Sequence, residues 1–310
     1  MTKIKLYNDD CFNHFKKVKE KSIDLFILDL PYNQTACNWD KDIIDLDKMW
    51  LEIKRIMKPA AVIVMFCTAK FGYRLIHSNP RWFKYDLIWK KSKKVGFLSA
   101  NKMPLRQHEL IYIFKEKQGT YNPQKTEGKP YTATRKNANI YSEKIKHKPT
   151  INKGDRHPTS IIETPTNHEN LYVFKDKQGT YNPQKTEGKP YKKNRKKEKT
   201  VYGSREESNT DNKGERHPTS IIEEEPPENT FLEFNNPHKT IHRTQKPVDL
   251  LEWLIKTYSN EGDTVMDFTM GAGSTGIACM NIKRKFIGVE KDKEIFKLAK
   301  NRIESHQVVT

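Results

Sequence analysis

The sequence contains few cysteines and no long apolar run. Its four cysteines, Cys11, Cys37, Cys67 and Cys279, lie far apart and form no C-x-x-C pair, which argues against a disulfide framework and a zinc cluster. No run of 18 apolar residues occurs, and the stretch "MTKIKLYNDD" lacks the apolar core of a signal peptide. We therefore expect a soluble, cytoplasmic protein with reduced thiols, without a metal site and without a membrane partner.

The sequence has fewer acidic than basic residues. The chain has 57 Lys+Arg against 39 Asp+Glu in 310 residues, a net charge of +18. Such an excess favours polyanions through long-range attraction and counterion release, so nucleic acid is the leading partner class. A solvated, lysine-rich surface is the alternative. The length suits one large domain, or a core domain that carries an insertion.

Residues 1–114 alternate strand-like and helix-like stretches. The apolar runs "IDLFILDL" and "AAVIVMFC" are typical of strands buried on both faces of a parallel sheet. Helical spacing occurs in "CFNHFKKVKEK" and in "LDKMWLEIKRIM", which ends before Pro59. Further strands are predicted at "KIKLY", "YDLIWKK" and "ELIYIFK". This alternation predicts a βαβ layout.

The middle of the chain is a basic segment with a direct repeat. Residues 114–223 hold 24 Lys+Arg and 14 Asp+Glu, a net charge of +10, while apolar periodicity fades. "FKEKQGTYNPQKTEGKPY" at 114 recurs at 174, and "NKGDRHPTSIIE" at 152 recurs at 212, each with one change. Two copies do not form a solenoid. They indicate a 60-residue tandem duplication within an insertion.

The α/β pattern returns after Pro247. Helices are predicted at "VDLLEWLIKTYS" and "KEIFKLAKNRI", and strands at "DTVMDF" and "RKFIGVE". Between them, "GAGSTGIACMN" reads as a glycine-rich loop that leads into a helix. The sheet is therefore expected to be built from both ends of the chain.

The stretch "DFTMGAGSTG" has the G-x-G-x-x-G spacing between a predicted strand and a helix. Gly271 and Gly273 permit a tight turn and close approach of a ligand, and Glu290 at the end of the next strand can accept ribose hydrogen bonds. This pattern fits any adenosine-bearing cofactor, and the spacing of the acid does not separate a dinucleotide from S-adenosylmethionine. Only one strand and one helix follow, which argues against NAD.

The tetrapeptide Asp29-Leu30-Pro31-Tyr32 follows a predicted parallel strand. The carboxyl ends of such strands form the edge where α/β sheets bind ligands. An acid, a proline and an aromatic residue can also simply end a strand. Together with the glycine loop, the tetrapeptide favours a catalytic site.

In its motifs the chain resembles the S-adenosylmethionine-dependent DNA amino-methyltransferases, specifically the permuted (beta) group in which the catalytic motif precedes the cofactor motif. The resemblance rests on "DLPY" with Trp39 and Asp40, on "TYNPQ", "GKPY" and "RHPTSIIE", on "HRTQKPVDLLEWLI", and on "DFTMGAGSTG" with "GVE". It implies a doubly wound, mostly parallel, seven-stranded Rossmann-like sheet, circularly permuted. It also implies a catalytic half at 1–114, a target-recognition insertion at 115–238 and a cofactor-binding half at 239–310.

The resemblance implies methyl transfer to adenine N6 in double-stranded DNA. Asp29 and the Leu30 carbonyl would each accept a hydrogen of the amino group, freeing the nitrogen lone pair for in-line attack on the methylsulfonium. Tyr32, after Pro31, would stack on a base flipped out of the duplex. Family members with an acid at this position mostly modify adenine. Leu30 departs from the family proline, but the role uses only its backbone carbonyl.

The resemblance also implies a set of residues for the cofactor, S-adenosyl-L-methionine. Asp267, Gly271 and Gly273 would surround the methionine half, and Glu290 would bind the ribose. Asp10 and Cys11 would contact the cofactor adenine. The residues that would border the cofactor carboxylate are Thr244, Gln245 and Lys246. Arg243 replaces the usual proline there.

The insertion would recognise DNA. The candidate phosphate or base contacts are Arg135, Arg156, Arg195, Arg205 and Arg216, interleaved with Tyr121, Tyr131, Tyr181 and Tyr191. Such an enzyme would be nucleoid-associated, and a homodimer and a partner restriction endonuclease are both compatible with the family.

Alternatives remain at this point. Methylation of cytosine N4, or of an RNA or protein nitrogen, uses related motifs, and the recognition blocks favour DNA among these. A binding-only remnant is the alternative from another class, motivated by Leu30, Arg243 and the duplication. An NAD oxidoreductase is disfavoured because no substrate acid/base pair accompanies the glycine loop.

Overall fold

The computed structural model describes most of the two ends of the chain and parts of its middle. The described residues are 3–33, 44–133, 150–162, 186–187, 191–195, 198–200, 203–205, 208–212, 215–216 and 245–306.

The two ends of the chain contain six helices and seven strands among the described residues. In the N-terminal part these are β1 Ile4–Asn8, α1 Cys11–Phe15, β2 Ile23–Leu28, α2 Leu46–Ile56, β3 Met57–Cys67, α3 Ala69–Ser78, β4 Phe83–Val95 and β5 Arg106–Phe114. In the C-terminal part they are α4 Val248–Tyr258, β17 Thr264–Asp267, α5 Ser274–Asn281, β18 Lys285–Glu290 and α6 Lys293–Glu304.

Short strands occupy the described parts of the basic middle segment. They are β6 Thr126–Glu127, β7 Tyr131–Ala133, β8 Thr150–Asn152, β9 Asp155–Arg156, β10 Ile161–Ile162, β11 Thr186–Glu187, β12 Tyr191–Arg195, β13 Glu198–Thr200, β14 Gly203–Arg205, β15 Ser208–Asn212 and β16 Glu215–Arg216.

One large sheet organises the molecule, in the order β1-β18-β17-β2-β3-β5-β4-β10. All neighbouring pairs are parallel except those that involve β5, which runs antiparallel to both β3 and β4. Strands from both ends of the chain thus lie side by side, with β17 next to β2. The predicted α/β fold with a mostly parallel sheet is confirmed.

Helices cover both faces of this sheet because successive strand residues point to opposite sides. On one face Phe26 and Leu28 pack in a core with residues of α1, α2 and α3. On the other face Leu25 and Ile27 pack with residues of α4, α5 and α6. Fully burying each such side chain contributes about 1.5–3 kcal/mol. The sheet is therefore doubly wound, as predicted.

Two details differ from the sequence prediction. The sheet has eight strands instead of seven, because β10 pairs in parallel with the edge of β4 and buries Ile162. Helix α1 ends at Phe15, earlier than its helical spacing indicated; the carbonyl of Phe15 accepts from Arg55, and Lys21 has a left-handed φ of 48°. Helix α2 does stop before Pro59, and β3 begins at Met57.

The two repeat copies pair their strands in the same register. In the first copy β6 pairs with β9 and β7 with β8, so that Tyr131 is opposite Asn152. In the second copy β11 pairs with β16 and β12 with β15, and Tyr191 is opposite Asn212, each partner 60 residues later. Both copies therefore specify the same local backbone pairing.

The first copy also contacts the main sheet and helix α4. The backbone N–H of Asn122 donates to the carbonyl of Thr257 at 2.7 Å, and its side-chain amide donates to the carbonyls of Lys256 and Ser259.

Among the described residues, no helix combines the length and apolar character that a membrane span requires.

Candidate active site

A cavity of about 520 Å³ opens at the edge where the parallel strands end. Residues that follow β2, β17 and β18 line it, together with the start of α1 and the residues before α4. They include the predicted site residues Asp10, Cys11, Asp29, Pro31, Gln245, Lys246, Asp267, Gly271 and Glu290. Ends of the chain that are more than 200 residues apart thus contribute to one cavity.

The glycine loop turns tightly between β17 and α5. Gly271 and Gly273 have φ values of 50° and 77°, a region that favours glycine. Gly273 is not among the residues that line the cavity. A Cβ there would lie 2.8 Å from Ile303 Cδ1, so this glycine lets α6 pack against the loop.

Glu290 holds the glycine loop from the end of β18. Its Oε2 accepts the Gly271 N–H at 3.0 Å, and its Oε1 accepts the Asp292 N–H at 2.9 Å. Burial raises the pKa of Glu290. Each oxygen keeps a further lone pair, so the carboxylate can orient the loop and accept a ligand hydroxyl at the same time.

Asp267 ends β17 and is buried beneath the loop. Its Oδ2 accepts the Thr275 hydroxyl at 2.7 Å, and its Oδ1 accepts the Thr269 N–H at 3.1 Å. Burial raises the pKa of Asp267 to about 7 in spite of these two donors. Its charge therefore depends on pH near neutrality, and a bound cation would favour the carboxylate form.

Asp10 and Cys11 begin helix α1 at the opposite wall of the cavity. Asp10 caps the helix, since its side chain accepts the Phe12 N–H at 3.0 Å, and it lies 3.6 Å from the ammonium of Lys291. Burial raises the pKa of Cys11 to about 12, so the thiol stays protonated. It forms an apolar part of the wall and is a poor nucleophile.

The Asp-Leu-Pro-Tyr segment directly follows β2. Asp29 faces the cavity, whereas the side chain of Leu30 is buried in the core with 2% exposure. The Tyr32 hydroxyl donates to Asp29 Oδ1 at 2.5 Å, and its ring lies 4.9 Å from that of Phe71. Burial and the charge of Asp29 raise the pKa of Tyr32. Leu30, at the position where the resemblance implies a proline, packs as an apolar core residue.

Lys246 contacts Asp29 from the segment before α4. Its Nζ donates to Asp29 Oδ2 at 2.5 Å and lies 3.6 Å from Glu109 Oε2. The ring of Phe66 is 4.9 Å from the same ammonium. Burial lowers the pKa of Lys246, but the carboxylates of Asp29 and Glu109 outweigh burial and raise it above its usual range.

Glu109 completes a row of alternating charges behind Asp29. It lies near the start of β5, where Lys91 of β4 also donates to its Oε1. Burial raises the pKa of Glu109, yet the ammonium groups of Lys246 and Lys91 hold it at about 2. The row Asp29, Lys246, Glu109, Lys91 is neutral as a whole when each group is charged.

Sequence reasoning missed three residues of this site. Glu109 and Lys91 lie within predicted strands and Arg302 lies within a predicted helix, and no motif marks any of the three. Arg302 Nη1 donates to the Ala272 carbonyl at 2.8 Å and to Ser274 Oγ at 3.0 Å, which fixes the glycine loop from the far side. A charged residue inside a mostly apolar strand was the available signal for Glu109.

The candidate DNA contacts of the insertion are only partly described. Arg156 uses its guanidinium internally: it donates to Asn152 and to the Lys129 carbonyl, and it lies 4.8 Å from the Tyr131 ring. It therefore stabilises the first repeat copy. Arg195, Arg205 and Arg216 lie in short strands of the second copy. The predicted residues outside the described ranges are Trp39, Asp40, Arg135, Tyr181, Arg243 and Thr244.

Comparison with known proteins agrees with this architecture. A family profile described as "DNA methylase" (N6_N4_Mtase) matches residues 23–301. The Type II methyltransferase M1.MboII of Moraxella bovis is 23% identical over 94% of this chain and 92% of its own length. M2.DpnII of Streptococcus pneumoniae is 42% identical over 64 residues, which span 21% of this chain and only 24% of that relative.

Solved structures show the same fold. The M1.HpyAVI–SAM complex superposes with a TM-score of 0.51 at 20% identity, covering 96% of this chain and 99% of the other. The cytosine-N4-specific PvuII DNA methyltransferase superposes with a TM-score of 0.54 at 12% identity. The superposition covers 100% of this chain and 89% of the PvuII enzyme. The chain therefore has a Rossmann-like methyltransferase fold.

Proposed function

The chain belongs to the DNA methylase family, and from this premise we propose that it transfers a methyl group from S-adenosyl-L-methionine to adenine N6 in double-stranded DNA. We further propose that it is a member of the permuted group, since β2, which leads into Asp29, precedes β17, which leads into the glycine loop, in the chain. The proposal rests on the observation that Asp29, Asp267 at the end of β17 and Gly271 of the glycine loop line one cavity.

The cavity fits the proposed cofactor through its arrangement of acceptors. Glu290 offers lone pairs for ribose hydroxyls, and the buried Asp267 offers a carboxylate to a cationic group. Asp10 and Cys11 form a partly apolar wall that suits an adenine ring. The M1.HpyAVI structure is a complex of that protein with the same cofactor. When bound, S-adenosylmethionine supplies the methyl group from its sulfonium.

The proposed work of the protein at the base is positional and electrostatic. An aromatic amino group is a poor nucleophile because its lone pair is delocalised. Asp29 and the carbonyl of Leu30 accept its two hydrogens, which frees the lone pair for in-line attack. Tyr32 stacks on the flipped base, and its hydroxyl orients Asp29 through their 2.5 Å hydrogen bond.

Adenine is proposed because the motif begins with an acid. Family members with an acid at this position mostly modify adenine N6, whereas serine is usual for cytosine N4. Cytosine N4 is the second candidate, since the cytosine-N4-specific PvuII enzyme shares this fold. A remnant that binds DNA without chemistry is the third, because a cofactor cavity alone does not require turnover.

The basic middle segment is proposed to bind the duplex. Its net charge of +10 over residues 114–223 suits a phosphate backbone. Arg195 and Arg216 of the second copy, with Arg135, remain the proposed contacts, whereas the guanidinium of Arg156 is bound within the first copy. The relatives named Type II methyltransferases motivate a restriction–modification role with a partner endonuclease, and a homodimer is compatible with it.

Product identification tests the proposed function. The purified protein is incubated with unmethylated genomic DNA and S-adenosylmethionine labelled at the methyl group, and the digested nucleosides are analysed by mass spectrometry. Label in N6-methyldeoxyadenosine is expected. Label in N4-methyldeoxycytidine would transfer the assignment to the second candidate. Absence of label from every deoxynucleoside, with cofactor bound, would favour the binding-only remnant.

Cofactor binding should tighten as pH rises toward neutrality. Asp267 is protonated below its pKa of about 7, and the cationic cofactor favours the ionised carboxylate. A carboxyl group that must lose its proton for binding raises the affinity by up to about tenfold per pH unit below its pKa, with a plateau above it. Calorimetric titration between pH 5 and 9 measures this dependence.

Asp267→Asn is the matched control for the pH dependence. The amide keeps an oxygen that can accept one of the two hydrogen bonds but does not titrate. Ionisation of the cofactor itself is common to both proteins and cancels in the ratio of their dissociation constants. A constant ratio across the pH range would contradict the role of Asp267.

Deleting residues 114–173 should leave a folded, active enzyme. The deletion removes the first repeat copy, and Phe174 then follows Ile113 in place of Phe114. Residues 178–191 repeat 118–131 without change, including the equivalent of Asn122 that contacts α4. We expect cooperative unfolding with a midpoint within about 3 °C of the wild type, a shift that corresponds to roughly 1 kcal/mol for a chain of this size.

Deletion of residues 174–233 is the paired variant. It removes the second copy and keeps the first copy with its contacts to the sheet. Similar activity of both deletions would show that one copy suffices. Loss of cooperative unfolding in both would show that the two copies are structurally required, contrary to the expectation.

A further inference from the structure

Two side chains of the protein already donate hydrogen bonds to the proposed catalytic carboxylate, Asp29. Asp29 Oδ1 accepts from the Tyr32 hydroxyl and Oδ2 accepts from Lys246 Nζ, both at 2.5 Å. A cation at this distance draws electron density from the carboxylate and so weakens it as an acceptor of an amino hydrogen. It also lies next to the nitrogen that acquires positive charge as it attacks. Lys246 in this position opposes the proposed chemistry.

A second acceptor for Lys246 lies within reach. Glu109 Oε2 is buried and has no hydrogen-bond partner among the described residues, although Lys91 occupies the other oxygen, Oε1. The distance of 3.6 Å from Lys246 Nζ is an ion pair but too long for a hydrogen bond. A shift of about 1 Å would bring it to the usual hydrogen-bond distance of about 2.8 Å.

The surroundings of Lys246 allow such a shift at a small cost in free energy. Lysine has a flexible side chain with three donors, so it can exchange one carboxylate for another without a backbone change. The side chain is 12% exposed and its ammonium stays over the Phe66 ring, so it does not have to enter or leave water. A buried acceptor without a hydrogen bond is itself unfavourable, and this favours the exchange.

We propose that Glu109 draws Lys246 away from Asp29 when the target amino group enters, so that Asp29 accepts the amino hydrogen in place of the lysine. Lys246 and Glu109 are then positioning residues. In the structure Lys246 pairs the charge of Asp29, and in the proposed reactive complex Glu109 pairs the charge of Lys246. The inference rests on the proposed methyl transfer and adds two residues to it.

A double-mutant cycle tests the exchange. Single-turnover methyl transfer to unmethylated genomic DNA is measured for Glu109→Gln, Lys246→Met and the double variant. Glu109→Gln leaves Lys246 on Asp29, and we expect the transfer rate to fall about 100-fold, the size of losing one transition-state interaction. Cofactor affinity should stay within about threefold, so the loss is in the rate and not in binding.

The lysine-free background decides between exchange and a merely structural role. If Glu109 acts by withdrawing Lys246, then Glu109→Gln should change the rate by no more than about threefold once Lys246 is methionine. An equal loss in both backgrounds would overturn the proposal, as would an unchanged rate in Glu109→Gln. Wild-type protein that labels no nucleobase would overturn the proposed function and this inference together, whereas active wild type with an additive cycle overturns only the inference.

A control variant and a substitute variant accompany the cycle. Glu52→Gln breaks an ion pair with Arg55 on α2, away from the cavity, and should leave the rate unchanged. If Glu109→Gln does not fold, Glu109→Asp keeps the charge but shortens the side chain by one methylene, so the carboxylate is withdrawn from Lys246. The same loss of rate is then expected, and a wild-type rate in a folded Glu109→Asp protein would contradict the proposal.

Discussion

Asp29→Ala should abolish methyl transfer while cofactor binding remains nearly intact. The alanine removes the acceptor of an amino hydrogen, the hydrogen bond with Tyr32 and the partner of Lys246. Loss of one preorganised hydrogen-bonding group of this kind reduces turnover about 10²–10³-fold, and we expect a loss in this range. The transfer of labelled methyl groups to DNA measures the rate.

Cofactor affinity and a conservative variant accompany this measurement. Glu290 and Asp267 are untouched, so the dissociation constant should change by less than about fivefold, or about 1 kcal/mol. Asp29→Asn keeps one oxygen acceptor and should lose less activity than Asp29→Ala. Turnover of Asp29→Ala at the wild-type rate would refute the assignment of the site.

Glu290→Ala should weaken cofactor binding about 100-fold, equivalent to about 2.7 kcal/mol. The carboxylate accepts the N–H groups of Gly271 and Asp292 and thereby holds the glycine loop in its turn. Hydrogen bonds to a charged group contribute about 1.5–3 kcal/mol each. Alanine would leave both donors unpaired and would also remove the proposed ribose acceptor.

Isothermal titration with S-adenosylmethionine measures this effect. Glu290→Gln keeps one acceptor oxygen and should fall between the wild type and Glu290→Ala. Glu261→Ala, which removes an exposed ion pair with Lys283 at 3.7 Å, is the control and should bind normally. Equal affinity of Glu290→Ala and the control would show that the loop does not depend on Glu290.

Local structure was largely predictable from the sequence. The buried strands β2 and β3, the stop of α2 before Pro59 and the strand, loop and helix around Gly271 follow from apolar periodicity, proline and glycine. These signals act over a few residues, and so they are visible in a short stretch of chain. Helix α1 is the exception, because a contact from Arg55 accompanies its early end.

Which residues meet at the site could be identified only from the tertiary structure. Strand β5 runs antiparallel, which brings its beginning, and therefore Glu109, to the edge where the parallel strands end. Nothing in the periodicity of "ELIYIFK" states the direction of the strand. The position of Arg156 in a basic segment likewise concealed its internal hydrogen bonds.

The sequence by itself determined the α/β class, the glycine loop and Asp29 at the end of a buried strand, because each depends on neighbouring residues. Only the tertiary structure decided that Lys246, 217 positions after Asp29, contacts it, that Glu109 lies beside both, and that Arg302 holds the glycine loop. Those contacts depend on strand order, strand direction and the packing of α6, which are set by the burial of two sheet faces together.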